Sequence, residues 1–346
     1  MTMKKTLLAL LLILCLCLPT FVACEMAESE TEETTEDTEQ KNGTEGLEYT
    51  ELSDGTYEVS VGKVKRAVRN IVIPAEHDGK AVTQIADEGF KNFTTLESIS
   101  IPDSITSIGD SAFHDCMSLK TLNLPDSVKT IENNAFFGCS GLKKIVFGEN
   151  SGLEYIGDDA FSGCWGLTSI NIPKSVLMLG DRAFVCSKVE SITVEEGNIA
   201  YYSEDNCLLA KLDNRVILGC KNSVIPTDGR VTEIADWAFM GCISLESIII
   251  PDSVTTIGTS AFEDCVALTA ITIPDGVTSI GEGAFCYCDS LTSVVIPDSV
   301  IPFKTVAKKN CLQGLTKKRK IITKISTLWQ RLRKASVKEI GRKKNL

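Results

Sequence analysis

Histidine occurs only twice in these 346 residues, as His77 and His114, and aromatic residues make up only 6% of the chain. Two histidines far apart in sequence leave little material for histidine-based catalysis. No Gly-rich phosphate loop and no His-Glu-x-x-His segment is present, so the sequence gives no foothold for nucleotide or zinc-protease chemistry. The chain also lacks a long apolar run: the stretch from Leu7 to Leu18 falls short of the roughly 18–20 residues a spanning helix needs. Global disorder is excluded too, because hydrophobic residues make up 43% and charged residues 23%, close to globular averages.

Charge is present but unevenly placed. The formal total is −11, yet residues 25–51 hold eleven acidic residues against one Lys, and residues 301–346 hold fifteen Lys or Arg against one Glu. Three regions therefore call for separate readings.

At the N-terminus, Lys4 and Lys5 precede the apolar run, and small Ala23 precedes Cys24, which reads as an export signal over residues 1–23. Phe21-Val22-Ala23-Cys24 resembles the bacterial lipobox, with Phe21 where Leu is usual. The resemblance implies a diacylated Cys24 as first mature residue and a lipid anchor in a membrane. An ordinary signal peptide cut near Ala23 is the alternative. Residues 24–51 have almost nothing apolar to bury, so they are expected to form an extended, disordered acidic tether.

From residue 83 the chain repeats itself. A marker Phe recurs at Phe90, Phe113, Phe136, Phe161, Phe184, Phe239, Phe262 and Phe285, with spacings of 23, 23, 25, 23, 55, 23 and 23. Cys116, Cys139, Cys164, Cys242, Cys265 and Cys288 each follow a marker Phe by three residues. A segment such as Leu268-Thr269-Ala270-Ile271-Thr272-Ile273-Pro274 comes next; its alternating β-branched part reads as a short strand that Pro stops. The Asp-Ser after the Pro favours a turn. Three residues before the Phe, Asp110, Asn133, Asp158, Asp236 and Thr259 suit N-caps of one or two helical turns. A unit with one apolar edge cannot fold alone, and stacking buries a continuous core.

The repeat resembles the BspA-type leucine-rich repeat in its Ile-Pro-x-x-Val-x-x-Ile-Gly-x-x-Ala-Phe-x-x-Cys pattern, over about residues 55–300. Phe93 replaces the Cys in the first unit, and Val146-Phe147-Gly148 replaces Ile-x-Pro after the third. The resemblance implies a β-rich, curved, right-handed leucine-rich repeat solenoid of about 23-residue units with short strands and short helical turns, here over residues 52–300. Residues 52–82 read as a capping unit, with turns at Asp54-Gly55 and Asp78-Gly79.

The 55-residue spacing contains an insertion near residues 195–226. Its segment from Cys207 to Cys220 reads as a hairpin around Asp213-Asn214, with Leu212 facing Arg215. Counting back sets Cys207 opposite Cys220 at a distance short for a disulfide, so a disulfide and two small buried thiols both stay open. The repeat cysteines are expected to stack as packed thiols, because free Cys behaves as a small hydrophobe. Cys286-x-Cys288 is too close for the usual zinc pair. Asp103, Asp126, Asp252, Asp275 and Asp298 supply too few oxygens for calcium and read as turn formers. His77 and His114 read as isolated and exposed. No catalytic residue, metal site or cofactor is expected.

The strand row is the face left for binding. Its expected outward positions are Ser98, Ser100, Thr121, Asn123, Ser169, Asn171, Ser247, Ile249, Thr272, Ser293 and Val295. They are small, neutral and without a general acid or base, suited to an extended contact with a protein or glycan or to a plain solvated sheet. In the tail, Ile321, Ile322, Ile325, Leu328, Trp329 and Leu332 recur at helical spacing among Lys and Arg. Three readings of residues 301–346 stay equally open: a basic amphipathic helix, on an anionic membrane rather than on nucleic acid, a solvated cap over the last repeat, and the product of a shifted reading frame.

The sequence as a whole points to a non-enzymatic, lipid-anchored cell-surface protein whose solenoid binds. Resemblance to BspA-type proteins implies adhesion to host matrix or to other cells; an envelope scaffold is the competing class. Oligomeric state is not encoded in any of these signals.

Overall fold

The computed structural model describes residues 43–185, 188–300 and 320–323. Two ladders of short parallel strands and one stacked turn region make a β-solenoid, with one repeat per rung. In the first ladder Lys80–Ile85, Ser107–Ile108, Thr130–Ile131, Tyr155–Ile156 and Met178–Leu179 pair in register, so that Ile85, Ile108, Ile131, Ile156 and Leu179 line up across rungs. These positions are buried except Leu179, which packs against the core half-buried. The second ladder comes from the Ile-x-Ile segments: Thr121–Leu124 with Lys144–Phe147, Ser169–Ile172 with Ser191–Val194, and Ile271–Thr272 with Ser293–Ile296. Alternation is visible residue by residue, since Leu122 and Leu124 are buried while Thr121 and Asn123 are exposed.

The expected helical turns are absent: no helix occurs among the described residues. Backbone geometry explains why. The second residue before the marker Phe is left-handed in rung after rung, as at Ser111 (φ 55°), Asn134 (φ 55°), Asp159 (φ 53°) and Ser260 (φ 50°). The second residue after it is left-handed as well, as at Asp115 (φ 59°) and Asp264 (φ 59°). A right-handed helix cannot run through such positions. The freed amides bond to the next rung instead: Ser111, Phe113 and Asp115 donate to the carbonyls of Asn133, Ala135 and Phe137 at 2.9, 2.7 and 2.7 Å. The supposed N-caps also reach across rungs. Asn133 Oδ1 accepts from the Asp158 amide at 2.8 Å, and Asp158 Oδ1 accepts from the Asp181 amide at 2.7 Å.

Stacking at the 23-residue period brings the marker rings together. Phe90, Phe113, Phe136, Phe161 and Phe184 form one stack and Phe239, Phe262 and Phe285 a second, with centroids 5.0–5.5 Å apart. Each such pair contributes about 0.5–1.5 kcal/mol beyond the area it buries. The thiols sit beside the rings: Cys116, Cys139 and Cys164 donate to the carbonyls of Phe90, Phe113 and Phe136 at 3.2, 3.1 and 3.3 Å. Cys116, Cys139, Cys164, Cys265 and Cys288 are free thiols. Cys286, outside that row, is disulfide-bonded.

Order begins earlier than residue 52. Glu48–Glu51 pairs antiparallel with Tyr57–Ser60, which pairs in turn with Lys80–Ile85. The acidic residues there alternate with Tyr49, which stacks on His77 at 3.8 Å, so cross-strand contacts offset the poor apolar content. Both histidines make ring contacts rather than standing isolated: His77 also meets Tyr57 edge-on at 5.2 Å, and His114 stacks on Phe137 at 4.9 Å. At the other end, Lys320–Thr323 pairs parallel with Ser293–Ile296, so Ile321 and Ile322 lie in a strand rather than at helical spacing. The remaining tail positions, the export signal and Cys24 lie outside the described residues.

The insertion divides the core in two. Strand Cys207–Ala210 is buried along its whole length, with Leu208 in the core of the preceding rungs and Cys207 and Leu209 in that of the following rungs. Its hairpin has a longer loop than expected. Ala210 rather than Leu212 faces Arg215, their backbones bonding at 3.1 Å, and a bulge shifts the register between Leu208 and Leu209. Cys207 pairs with Glu204 in Tyr201–Glu204 rather than facing Cys220. Both thiols are free and buried, so the disulfide does not form.

Candidate functional site

The second ladder exposes one side of its strands. Ser98, Ser100, Thr121, Asn123, Ser169, Asn171, Ser247, Ile249 and Thr272 all point outward as read, and Ile249 is 77% exposed. The side chains of Ser293 and Val295 lie outside the described residues. Period-two alternation with a buried partner face dictates this orientation. Parallel pairing sets some of the outward side chains in contact across rungs: Ser98 Oγ donates to Asn70 Oδ1 at 2.7 Å, and Thr193 Oγ1 to Asn171 Oδ1 at 3.0 Å.

The row is longer than the sequence reading made it. Asn70 and Val72 extend it at the N-terminal end, Lys144 and Val146 fill the third rung, and Ser191 and Thr193 add one more. Ile71-Val72-Ile73-Pro74 carries the Ile-x-Ile-Pro signature that would have located the first of these. The other two rungs lack that Pro, which hid them.

Apart from Lys144, charge lies on the border of the row. Glu97 is flanked by Arg69 and Lys120 from the rungs before and after it. Hydrogen bonds from Lys120 and then Arg69 hold its carboxyl below the usual range. The row itself presents hydroxyls, amides and β-branched carbons, which suit many weak contacts over a long face rather than bond-making at one point. Among the described residues no three or more His, Cys, Asp or Glu lie close enough to hold a metal ion, and no helix is long and apolar enough to cross a membrane.

The second feature of note is the break made by the insertion. A groove of about 580 Å³ lies between the edge Leu177–Val185 and the hairpin, closed on the far side by Glu233 and Ala235–Trp237. Arg182 crosses part of it, bonded to both carboxylate oxygens of Asp159 and set over the Trp237 ring at 5.1 Å.

No curated protein matches the chain. Among solved structures, the pneumococcal vaccine antigen PcpA is similar at 22% identity and a TM-score of 0.60, covering 74% of this chain and 81% of that one. A leucine rich cell surface protein from Faecalibacterium prausnitzii A2-165 is 25% identical over 83% of this chain and 96% of that one, with a TM-score of 0.47. A leucine rich repeat protein of T. pallidum is 23% identical over 78% and 97%, with a TM-score of 0.45. The family described as BspA type Leucine rich repeat region matches in six copies over residues 83–211 and 210–328. With that match spanning well over half of its length, the chain belongs to the BspA-type leucine-rich repeat family.

Proposed function

We propose that this chain is an exported, lipid-anchored surface protein that uses the outward strand row to bind a protein or glycan, in adhesion to host matrix or to neighbouring cells. The observation that carries the reading is the row itself. From Asn70 to Thr272, rung after rung presents small neutral side chains outward, Lys144 excepted, over alternate positions that are buried or, at Ile145 and Phe147, partly buried. Such a face meets a partner at many points, and away from Lys144 its lack of charge lets contact proceed without stripping water from ions. The N-terminal Lys4-Lys5 start, apolar run and Ala23-Cys24 pair support export and lipidation.

The test has two parts. Peptides from residues 52–300 released by protease from intact cells place the solenoid outside. Binding of the purified chain to immobilised matrix protein, lost in an N123K/N171K variant and kept at high salt, supports the adhesive role. Retention of all such peptides inside intact cells, with one endogenous partner captured, favours an envelope scaffold and sinks the adhesive reading.

A further inference from the structure

Rungs of the first ladder hand their backbone hydrogen-bonding groups to the next rung in a recurring pattern. The carbonyl of Thr83 accepts from Thr106 and that of Ile85 from Gly109; Thr255 and Ile257 accept in the same way from Thr278 and Gly281. In four rungs the Asp or Asn that follows accepts the next amide, as Asp87 Oδ1 does from Asp110, while Asp110 Oδ1 accepts from the Ser111 hydroxyl instead. The left-handed residue after it donates to the next rung, as Asp159 does to Asp181 at 2.9 Å.

At Leu177–Arg182 this pattern has no recipient among the described residues, because the insertion displaces the next rung. Leu177 and Leu179 stand where Thr83 and Ile85 do, and their carbonyls accept no bond from a described residue. Among the described residues the Arg182 amide donates no backbone bond, and the Asp181 carboxylate accepts no amide, though the Arg182 guanidinium, paired with Asp159, also feels its charge. Only the Leu179 amide is satisfied, by the Tyr201 hydroxyl at 3.0 Å. These groups all line the groove of about 580 Å³, within the range of ligand clefts. Leu177, Ile199 and Leu212, exposed by 43%, 75% and 94%, supply apolar rims. The charge is one-sided. Counting Asp159, which holds Arg182, five carboxylates (Asp159, Asp181, Asp213, Glu233 and Asp236) face three cations (Arg182, Lys211 and Arg215).

We propose that this break is a strand-addition site, which takes an extended, lysine- or arginine-bearing segment of a partner protein parallel to the Leu177–Arg182 edge. The guest's amides bond to the Leu177 and Leu179 carbonyls and to Asp181, its carbonyl accepts from the Arg182 amide, and its cation meets Asp181, Glu233 and Asp236. Main-chain bonds supply affinity, and the charge and the apolar rims supply selection, as in other β-augmentation sites. This goes beyond the strand row, which lies on the other ladder and does not depend on it.

The probe is a fluorescent seven-residue peptide, Lys-Val-Thr-Ser-Ile-Gly-Lys, which places the chain's own segment 277–281 between two lysines. Fluorescence anisotropy against the full chain is expected to show saturable, salt-weakened binding. Methylating the Thr and Gly amide nitrogens removes two bonds and is expected to weaken binding about tenfold or more. Asp181→Lys, at an exposed side chain, is expected to weaken the basic peptide and to strengthen a counterpart with Glu in place of both lysines. Equal binding of the methylated peptide, or no saturation up to about 1 mM, overturns the proposal without any variant having to fold. A dimer in sedimentation equilibrium that Asp181→Lys dissociates would assign the groove to a second copy and overturn it too.

Discussion

The backbone amide of Leu179 donates to the hydroxyl of Tyr201 at 3.0 Å. One side chain from the insertion thereby does what a whole strand does elsewhere in the ladder. Burial raises the Tyr201 hydroxyl's pKa, as desolvation of a phenol requires. Tyr201→Phe leaves the amide unpaired at little change in shape. It is expected to cost about 1–3 kcal/mol in urea unfolding, and a midpoint equal to wild type would show that water takes over the bond.

Phe262 is fully buried between Phe239 and Phe285. Phe262→Ala should therefore lose about 3–5 kcal/mol, while Ile249→Ser on the outward row should stay within about 0.5 kcal/mol. Thermal unfolding of the two variants checks the facing of both rows at once, and similar losses would contradict it.

Gly219 lies flat against the ring of Phe239, and a Cβ there would come within 2.0 Å of Cε1. Its amide donates to the Ala238 carbonyl at 2.8 Å, and its carbonyl accepts from the Cys242 thiol at 3.5 Å. The insertion thus seals the second ring stack with backbone alone. Gly219→Ala is expected to cost about 1–3 kcal/mol by overpacking, with calorimetry as the readout; a neutral result would mean that the hairpin shifts freely.

Asp158 and Asp181 occupy the same position in successive rungs, yet only Asp158 finds an amide in the next. Asp158→Ala should cost about 1 kcal/mol and Asp181→Ala almost nothing. Reversal of that order by chemical denaturation would refute the cross-rung role of these carboxylates.

Burial pushes the thiols of Cys116, Cys164, Cys207 and Cys288 up to about 12 from the usual 9.0. A raised folded-state value favours the protonated thiol, so its contribution is fully present below pH 9 and is lost as pH rises from there toward about 12. Each thiol should remove about 1.4 kcal/mol of stability per pH unit in that window. Denaturant midpoints taken across about pH 8 to 11 should be flat at first and then fall, and Cys164→Ala should flatten the fall.

The strand segments, the outward row and the row of packed repeat cysteines are legible in the sequence because they depend on spacing alone. A repeat of 23 residues brings equivalent side chains together whatever the backbone does between them. Reading the Ala-Phe-x-x-Cys turns as helical failed at Ser111 and Asp115, where propensity could not show that the next rung would take the amides and leave the backbone free to turn left-handed. The hairpin register was misjudged for a related reason: Leu208 and Leu209 serve two different cores, and only packing against both decides where the bulge falls. By itself the sequence determined the period, the facing of the strands and the place of the insertion. The tertiary structure alone decided which partner each hydrogen-bonding group meets, since those partners lie about one repeat away, and it alone left the Leu177–Arg182 edge with the Tyr201 hydroxyl in place of a next strand.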